Sequence, residues 1–146
     1  MKKFLSKYGV VLGVVLLLGL FVGLSFLIKE DPTKEMSSDI QNWLTDTASD
    51  KYVVTVIAQT TCRHCINFKP VINKAHNKND FTLYWFEADE LTNNDYNTLK
   101  GTYELDGYSG TPYTFITKNG EVLAHLSGER DYDALIEFLQ ENNVIE

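Results

Sequence analysis

The run Val53-Val54-Thr55-Val56-Ile57, and the Cys62-Arg63-His64-Cys65 that follows it, constrain this chain more than anything else in it. Five consecutive β-branched residues make a strand with almost no polar face, as in a strand buried on both sides of a sheet. Such a strand needs structure packed above and below it. The two cysteines are the only ones in the chain. Spaced C-x-x-C, they can join in a disulfide if the first sits at a helix start. There the backbone N–H groups and the helix dipole stabilise a thiolate. That arrangement suits exchange of a disulfide with another protein.

Periodicity supplies the other elements. Met36, Ile40, Trp43, Leu44 and Thr47 recur at helical spacing, predicting a helix over about 36–48 with Ser37 or Ser38 as its cap. A strand over 52–58 leads to a helix from about Cys62 to Asn77. Phe81–Ala88 reads as the next strand, and Thr92 caps a helix over 94–104. Gly107 to Gly110 reads as a loop. Strands over 113–117 and 121–126 flank Asn119-Gly120, a strong hairpin signal. Asp131 caps a last helix whose buried stripe is Leu135, Ile136, Phe138 and Leu139. The order α-β-α-β-α-β-β-α predicts an α/β sandwich whose final hairpin adds an antiparallel pair. The aromatic stretches around Trp43, Trp85 and Tyr108 read as core and loop packing.

Residues 1–28 have a different composition. Tyr8 to Ile28 carries no charged residue, and 21 helical residues span about 31 Å, close to the hydrocarbon thickness of a bilayer. The alternative is a cleaved signal peptide, but its apolar region is shorter, roughly 7–15 residues, and a small-residue cleavage site follows it. Here Gly23-Leu24-Ser25 lies inside the run. The expected organisation is a cytoplasmic N-terminus at 1–7, a single transmembrane helix at 8–28, a polar tether at 29–35 containing Pro32, and a folded domain at 36–146. Lys2, Lys3 and Lys7 before the span, against Lys29-Glu30-Asp31 after it, orient that domain out of the cytoplasm, at the cell membrane. Disulfides persist there. Gly9, Gly13, Gly19 and Gly23 share one arc of the helix, a face on which two helices can pack as a homodimer. Glycine is common in membrane spans anyway, so monomer and homodimer both stay open.

Charge narrows the partners. Of 13 Lys+Arg, four lie at or before Lys29, leaving nine against 20 Asp+Glu, a net of −11 beyond it. Nucleic acid is excluded as a partner, since it needs a basic footprint.

With these elements in place, the chain resembles the thioredoxin family. The C-x-x-C follows a buried strand and opens a helix. Pro70 lies five residues after Cys65, Gly110-Thr111-Pro112 precedes a strand, and Phe115 to Gly128 reads like the family's hairpin with its terminal glycine. The resemblance covers roughly 36–143. It implies a three-layer α/β/α fold around a mixed central sheet. It implies a thiol–disulfide oxidoreductase in which Cys62 attacks a substrate disulfide and Cys65 resolves the mixed disulfide. It implies a cis-Pro112 beside the pair, with Thr111 offering its backbone to an extended substrate. No cofactor is implied beyond the redox-active Cys62–Cys65 disulfide. The implied partners are protein thiols and disulfides and a separate redox partner, since the chain has no second cysteine pair and Ile66 after Cys65 excludes haem attachment.

Arg63 and His64 replace the family's Gly-Pro and are candidates for tuning the pair. His64 matches the histidine that protein disulfide isomerase and the periplasmic disulfide oxidase carry there. Positive groups beside Cys62 favour its thiolate, predicting a titration below the free-cysteine value of about 8.5 and a more oxidising pair than thioredoxin. Thr61 stands where thioredoxin has tryptophan. Val56 stands where it buries an aspartate, and that aspartate's lysine partner maps near Trp85. Losing both avoids an unpaired buried charge. Proton transfer then falls to water, to His64 or to a carboxylate such as Glu87. Oxidase, isomerase and reductase all stay open. So do a thioredoxin-fold binding module without turnover and a Cu(I)-handling role for the same cysteines. A zinc site with His76 and His125 has the wrong spacing, and both histidines read as surface or packing residues.

Overall fold

The computed structural model describes residues 36–105 and 108–146. The elements run α1 (Ile40–Thr47), β1 (Val53–Ala58), α2 (Arg63–Lys78), β2 (Thr82–Glu87), α3 (Asn93–Thr102), β3 (Tyr113–Lys118), β4 (Glu121–Ser127) and α4 (Tyr132–Glu141). The transmembrane helix expected at 8–28, its glycine face and the tether at 29–35 lie outside the described residues. Among the described residues, no helix is long and apolar enough to cross a membrane.

The sheet order is β2-β1-β3-β4. β1 pairs parallel with β2 and antiparallel with β3, and β3 pairs antiparallel with β4, so the sheet is mixed. Every residue of β1 is buried, as its almost continuously apolar run requires. Successive side chains point to opposite faces. Val54, Val56 and Ala58 join Cys65, Phe68, Ile72 and Ala75 of α2 and Leu135 and Leu139 of α4. Val53 and Ile57 join Trp43 of α1 and Leu99 of α3. Two helical layers thus cover one sheet.

The hairpin follows its sequence signal. Asn119 and Gly120 have φ of 53° and 76°, the positive pair that a two-residue turn between twisted strands needs. The turn is docked as well as shaped. Asn119 N–H donates to the Ser49 carbonyl at 2.7 Å and Gly120 N–H to the Thr47 carbonyl at 2.9 Å, at the end of α1. Asp131 caps α4 through the Ala134 N–H at 2.9 Å. In α4, Leu135 and Leu139 are fully buried, while Ile136 and Phe138 are partly buried.

One boundary differs from the periodicity. α1 begins at Ile40, and its cap is Asp39, whose carboxylate accepts from Gln41 and Asn42 N–H at 2.9 and 2.8 Å. Neither Ser37 nor Ser38 caps it. The Ser37 carbonyl instead accepts from Trp85 N–H at 2.9 Å, extending the β2 edge by one bridge. Backbone committed to a sheet edge is extended, so the helix cannot start until it leaves that edge.

Candidate active site

β1 delivers the chain to the cysteine pole of the sheet. The loop after it is tied down by Asp89, whose carboxylate accepts from Thr60 N–H at 3.0 Å and from the Thr60 hydroxyl. These bonds hold the Asp89 carboxyl below its ordinary range. Cys62 is the N-cap of α2, with φ −75° and ψ 112°. Its carbonyl accepts from Ile66 N–H at 3.0 Å, and its sulfur accepts from Cys65 N–H at 3.2 Å. The first-turn amide that an Asp or Ser cap would satisfy is therefore aimed at sulfur. The same amide and the helix dipole favour negative charge there once the disulfide opens.

Cys62 and Cys65 are joined in a disulfide with Cα atoms 5.2 Å apart, within the usual span. Their exposure differs. Cys65 is 2% exposed and packs into the core beside Phe68 and Val56. Cys62 is half-buried at the rim. One sulfur can be reached by a partner and the other lies behind it. The Thr111–Pro112 peptide is cis, and the Thr111 carbonyl oxygen lies 3.4 Å from Cys62 Sγ. The Pro112 carbonyl accepts from Gly128 N–H at 2.8 Å, which latches this loop to the end of β4. Gly128 has φ of 80°, a conformation that suits glycine.

Arg63 and His64 are both exposed. His64 Nδ1 lies 3.0 Å from Glu129 Oε1. That hydrogen bond, with a smaller one from Asn67 and the charges of His64 and Arg63, holds the Glu129 carboxyl below its ordinary range. Neither Glu129 nor Asp89 stands out in the sequence. Glu129 is 65 residues from His64 and Asp89 is 29 from Thr60, and no local pattern links positions so far apart.

Beneath the pair the core is apolar. Val56 is fully buried and registers with Trp85, itself 4% exposed. Neither side chain carries charge. Glu87 lies at the rim, where its carboxylate accepts from Lys69 Nζ at 2.6 Å and from the Trp85 indole N–H at 3.3 Å. Lys69 Nζ is also 5.3 Å from the Trp85 ring centroid. The Lys69 hydrogen bond, its largest influence, keeps the Glu87 carboxyl below the ordinary range. Glu87 thus turns its carboxylate to Lys69 and Trp85.

The two other histidines lie elsewhere. His76 is buried with its ring against Phe81 at 5.2 Å, and His125 stacks on Tyr113 at 5.6 Å. Among the described residues, no three His, Cys, Asp or Glu side chains gather in a way that could hold a metal ion. The aromatic stretches are packed as expected: Trp43 and Trp85 are in the core, and Tyr108 meets Tyr113 edge-on at 5.2 Å.

The thioredoxin family model matches residues 33–141. Thioredoxin from Aeropyrum pernix is similar at 16% identity and a TM-score of 0.61, over 73% of this chain and 86% of that one. A mutant thioredoxin from Halobacterium salinarum is similar at 23% identity and 0.60, over 81% and 96%. Thioredoxin from Malassezia sympodialis is similar at 22% identity and 0.58, over 73% and 87%. No curated protein matches the sequence. The solved structures carry the fold, and the family model carries the descent. A buried strand, a helix capped by the outer cysteine of a C-x-x-C, a cis-proline loop against that sulfur and a glycine-ended hairpin stand together over a mixed four-stranded sheet, and the chain belongs to the thioredoxin family as a thiol–disulfide oxidoreductase.

Proposed function

We propose that this chain is a membrane-anchored, extracytoplasmic thiol–disulfide oxidoreductase that exchanges disulfides with protein substrates through Cys62 and Cys65. The observation that carries the exchange chemistry is the asymmetry of the pair: a half-buried sulfur at a helix N-cap, backed by a buried one. In a cycle, the Cys62 thiolate attacks a substrate disulfide and releases one substrate sulfur. Cys65 then attacks Cys62, frees the second substrate sulfur and closes the intramolecular disulfide. The reverse sequence oxidises a substrate dithiol. Thr111 and Pro112 border the outer sulfur, where an extended substrate segment lies against their backbone. A separate redox partner resets the pair.

The poise is set by what surrounds Cys62. Thioredoxin itself lies at about −270 mV, and the strongest oxidant of this type at about −120 mV. Arg63 and His64 beside the helix N-terminus favour the thiolate and so the dithiol form. Equilibration of the full-length protein with glutathione is expected to give a potential above about −270 mV, with Cys62 alkylating below a pKa of about 8.5. A potential at or below thioredoxin's, with an unshifted thiol, contradicts the oxidising poise.

The anchor rests on the uncharged run from Tyr8 to Ile28 and the lysines before it. It places the N-terminus in the cytoplasm and Cys62 outside. After mild reduction of intact cells, a membrane-impermeant thiol reagent is expected to label Cys62 in the membrane fraction. Labelling only after lysis, or recovery in the soluble fraction, contradicts the location.

A further inference from the structure

Glu129 has no part in the exchange steps above, yet it closes a circuit of contacts around the outer cysteine. The Thr111 carbonyl lies 3.4 Å from Cys62 Sγ, Pro112 accepts from Gly128 N–H at 2.8 Å, and the next residue, Glu129, meets His64 Nδ1 at 3.0 Å. An ionised carboxylate only accepts hydrogen bonds, so Nδ1 carries a proton and donates it to Glu129. Charged groups at this edge include Arg63 and His64 on α2 and Glu129 and Arg130 on the loop after β4, with Asp89 bonded to Thr60 on the loop before Cys62. Arg130 is turned to the Glu129 backbone carbonyl at 2.8 Å.

In this structure the cysteines are joined, so neither sulfur is charged and the imidazole is held by Glu129. The geometry points to Glu129 as a positioning residue that competes with the Cys62 thiolate for His64, holding the imidazole in the disulfide form and yielding it in the dithiol form. This rests on Cys62 being the exchanging sulfur. Reduction by a partner dithiol brings two electrons into the Cys62–Cys65 bond, which breaks as a disulfide forms in the partner. Of the partner's two protons, Cys65 keeps one as a thiol and solvent takes the other, because Cys62 remains a thiolate. The new anion lies two residues from His64 and attracts its proton-bearing ring.

Two effects then act in one direction. In the disulfide form the His64–Glu129 contact is intact and stabilises that form. In the dithiol form the thiolate draws the imidazole away from that contact, and the Glu129 carboxylate opposes a like charge on sulfur. Glu129 therefore makes the pair a weaker oxidant than Arg63 and His64 alone would make it.

The test is a double-mutant cycle on the full-length protein, read as the equilibrium constant with glutathione. Glu129→Gln is expected to move the equilibrium toward the dithiol by about two- to fivefold, the range a surface ion pair carries. In a His64→Gln background the same substitution is expected to give less than half that shift on a logarithmic scale. A merely structural role for Glu129 would not produce that dependence on His64. No shift, a shift toward the disulfide, or an equal shift in both backgrounds overturns the competition. If the parent protein equilibrates normally, such a result leaves the exchange chemistry standing. If the parent does not equilibrate with glutathione at all, the exchange chemistry fails and the competition with it.

Discussion

Cys62→Ser is expected to bring disulfide exchange to the uncatalysed background, a loss on the order of a thousandfold or more, as with removal of any obligate nucleophile. The reason lies in exposure as much as in charge. Cys65 is 2% exposed and packed among core side chains, so a folded substrate has no approach to it. Its sulfur also lacks the N-cap placement that Cys62 has, with an amide N–H at 3.2 Å. The serine hydroxyl can take over the cap, accepting from the same amide, so the fold is expected to survive and the loss to be chemical. Insulin reduction and oxidation of a reduced protein, measured beside a thermal melt, separate the two effects. Activity retained in Cys62→Ser removes this pair from catalysis and leaves a binding module or a metal-handling role.

The largest stability effect is expected at Trp43. Its side chain is fully buried, edge-on to Phe86 and Tyr103 at 5.8 Å each, and its indole N–H donates to the Thr55 hydroxyl at 2.9 Å. Trp43→Ala removes a large apolar volume that the sheet and α3 cannot fully close around, at a cost of about 3–5 kcal/mol. It also leaves the Thr55 hydroxyl, fully buried in β1, without its donor. Against a typical domain stability of about 5–15 kcal/mol, that is enough to populate the unfolded state near physiological temperature. Trp43→Phe keeps most of the apolar volume and is expected to cost about 1–2 kcal/mol. Urea unfolding of both variants checks the order. A Trp43→Ala loss under about 1 kcal/mol contradicts this packing account.

What the sequence makes legible is local. β1 announces itself because all its residues are apolar or β-branched and buried. The Asn119-Gly120 turn is legible because few other residues adopt positive φ twice in succession. Cys62 as a helix cap and Asp131 as another are written within four residues of the amides they serve. The start of α1 is not legible, because Ser37 is claimed by Trp85, 48 positions away, and Asp39 takes the cap in its place. The partners of the site residues fall in the same class. His64 is visible beside Cys65, but the carboxylate that holds it arrives from the loop after β4. Glu87 is visible as a candidate proton acceptor, yet its contact with Lys69 lowers its basicity. Only the fold brings these groups together, and it does so through a register set by hydrophobic patterning rather than by the charged residues themselves.

In the proposed cycle the rim sulfur attacks and the buried one resolves. Cys65→Ser separates the two roles, since it leaves the attacking sulfur and removes the resolving one. Mixed with a disulfide-bonded substrate, this variant is expected to accumulate a covalent adduct that dithiothreitol releases and that peptide mapping places on Cys62. An absence of adduct, or its accumulation in Cys62→Ser instead, contradicts the account.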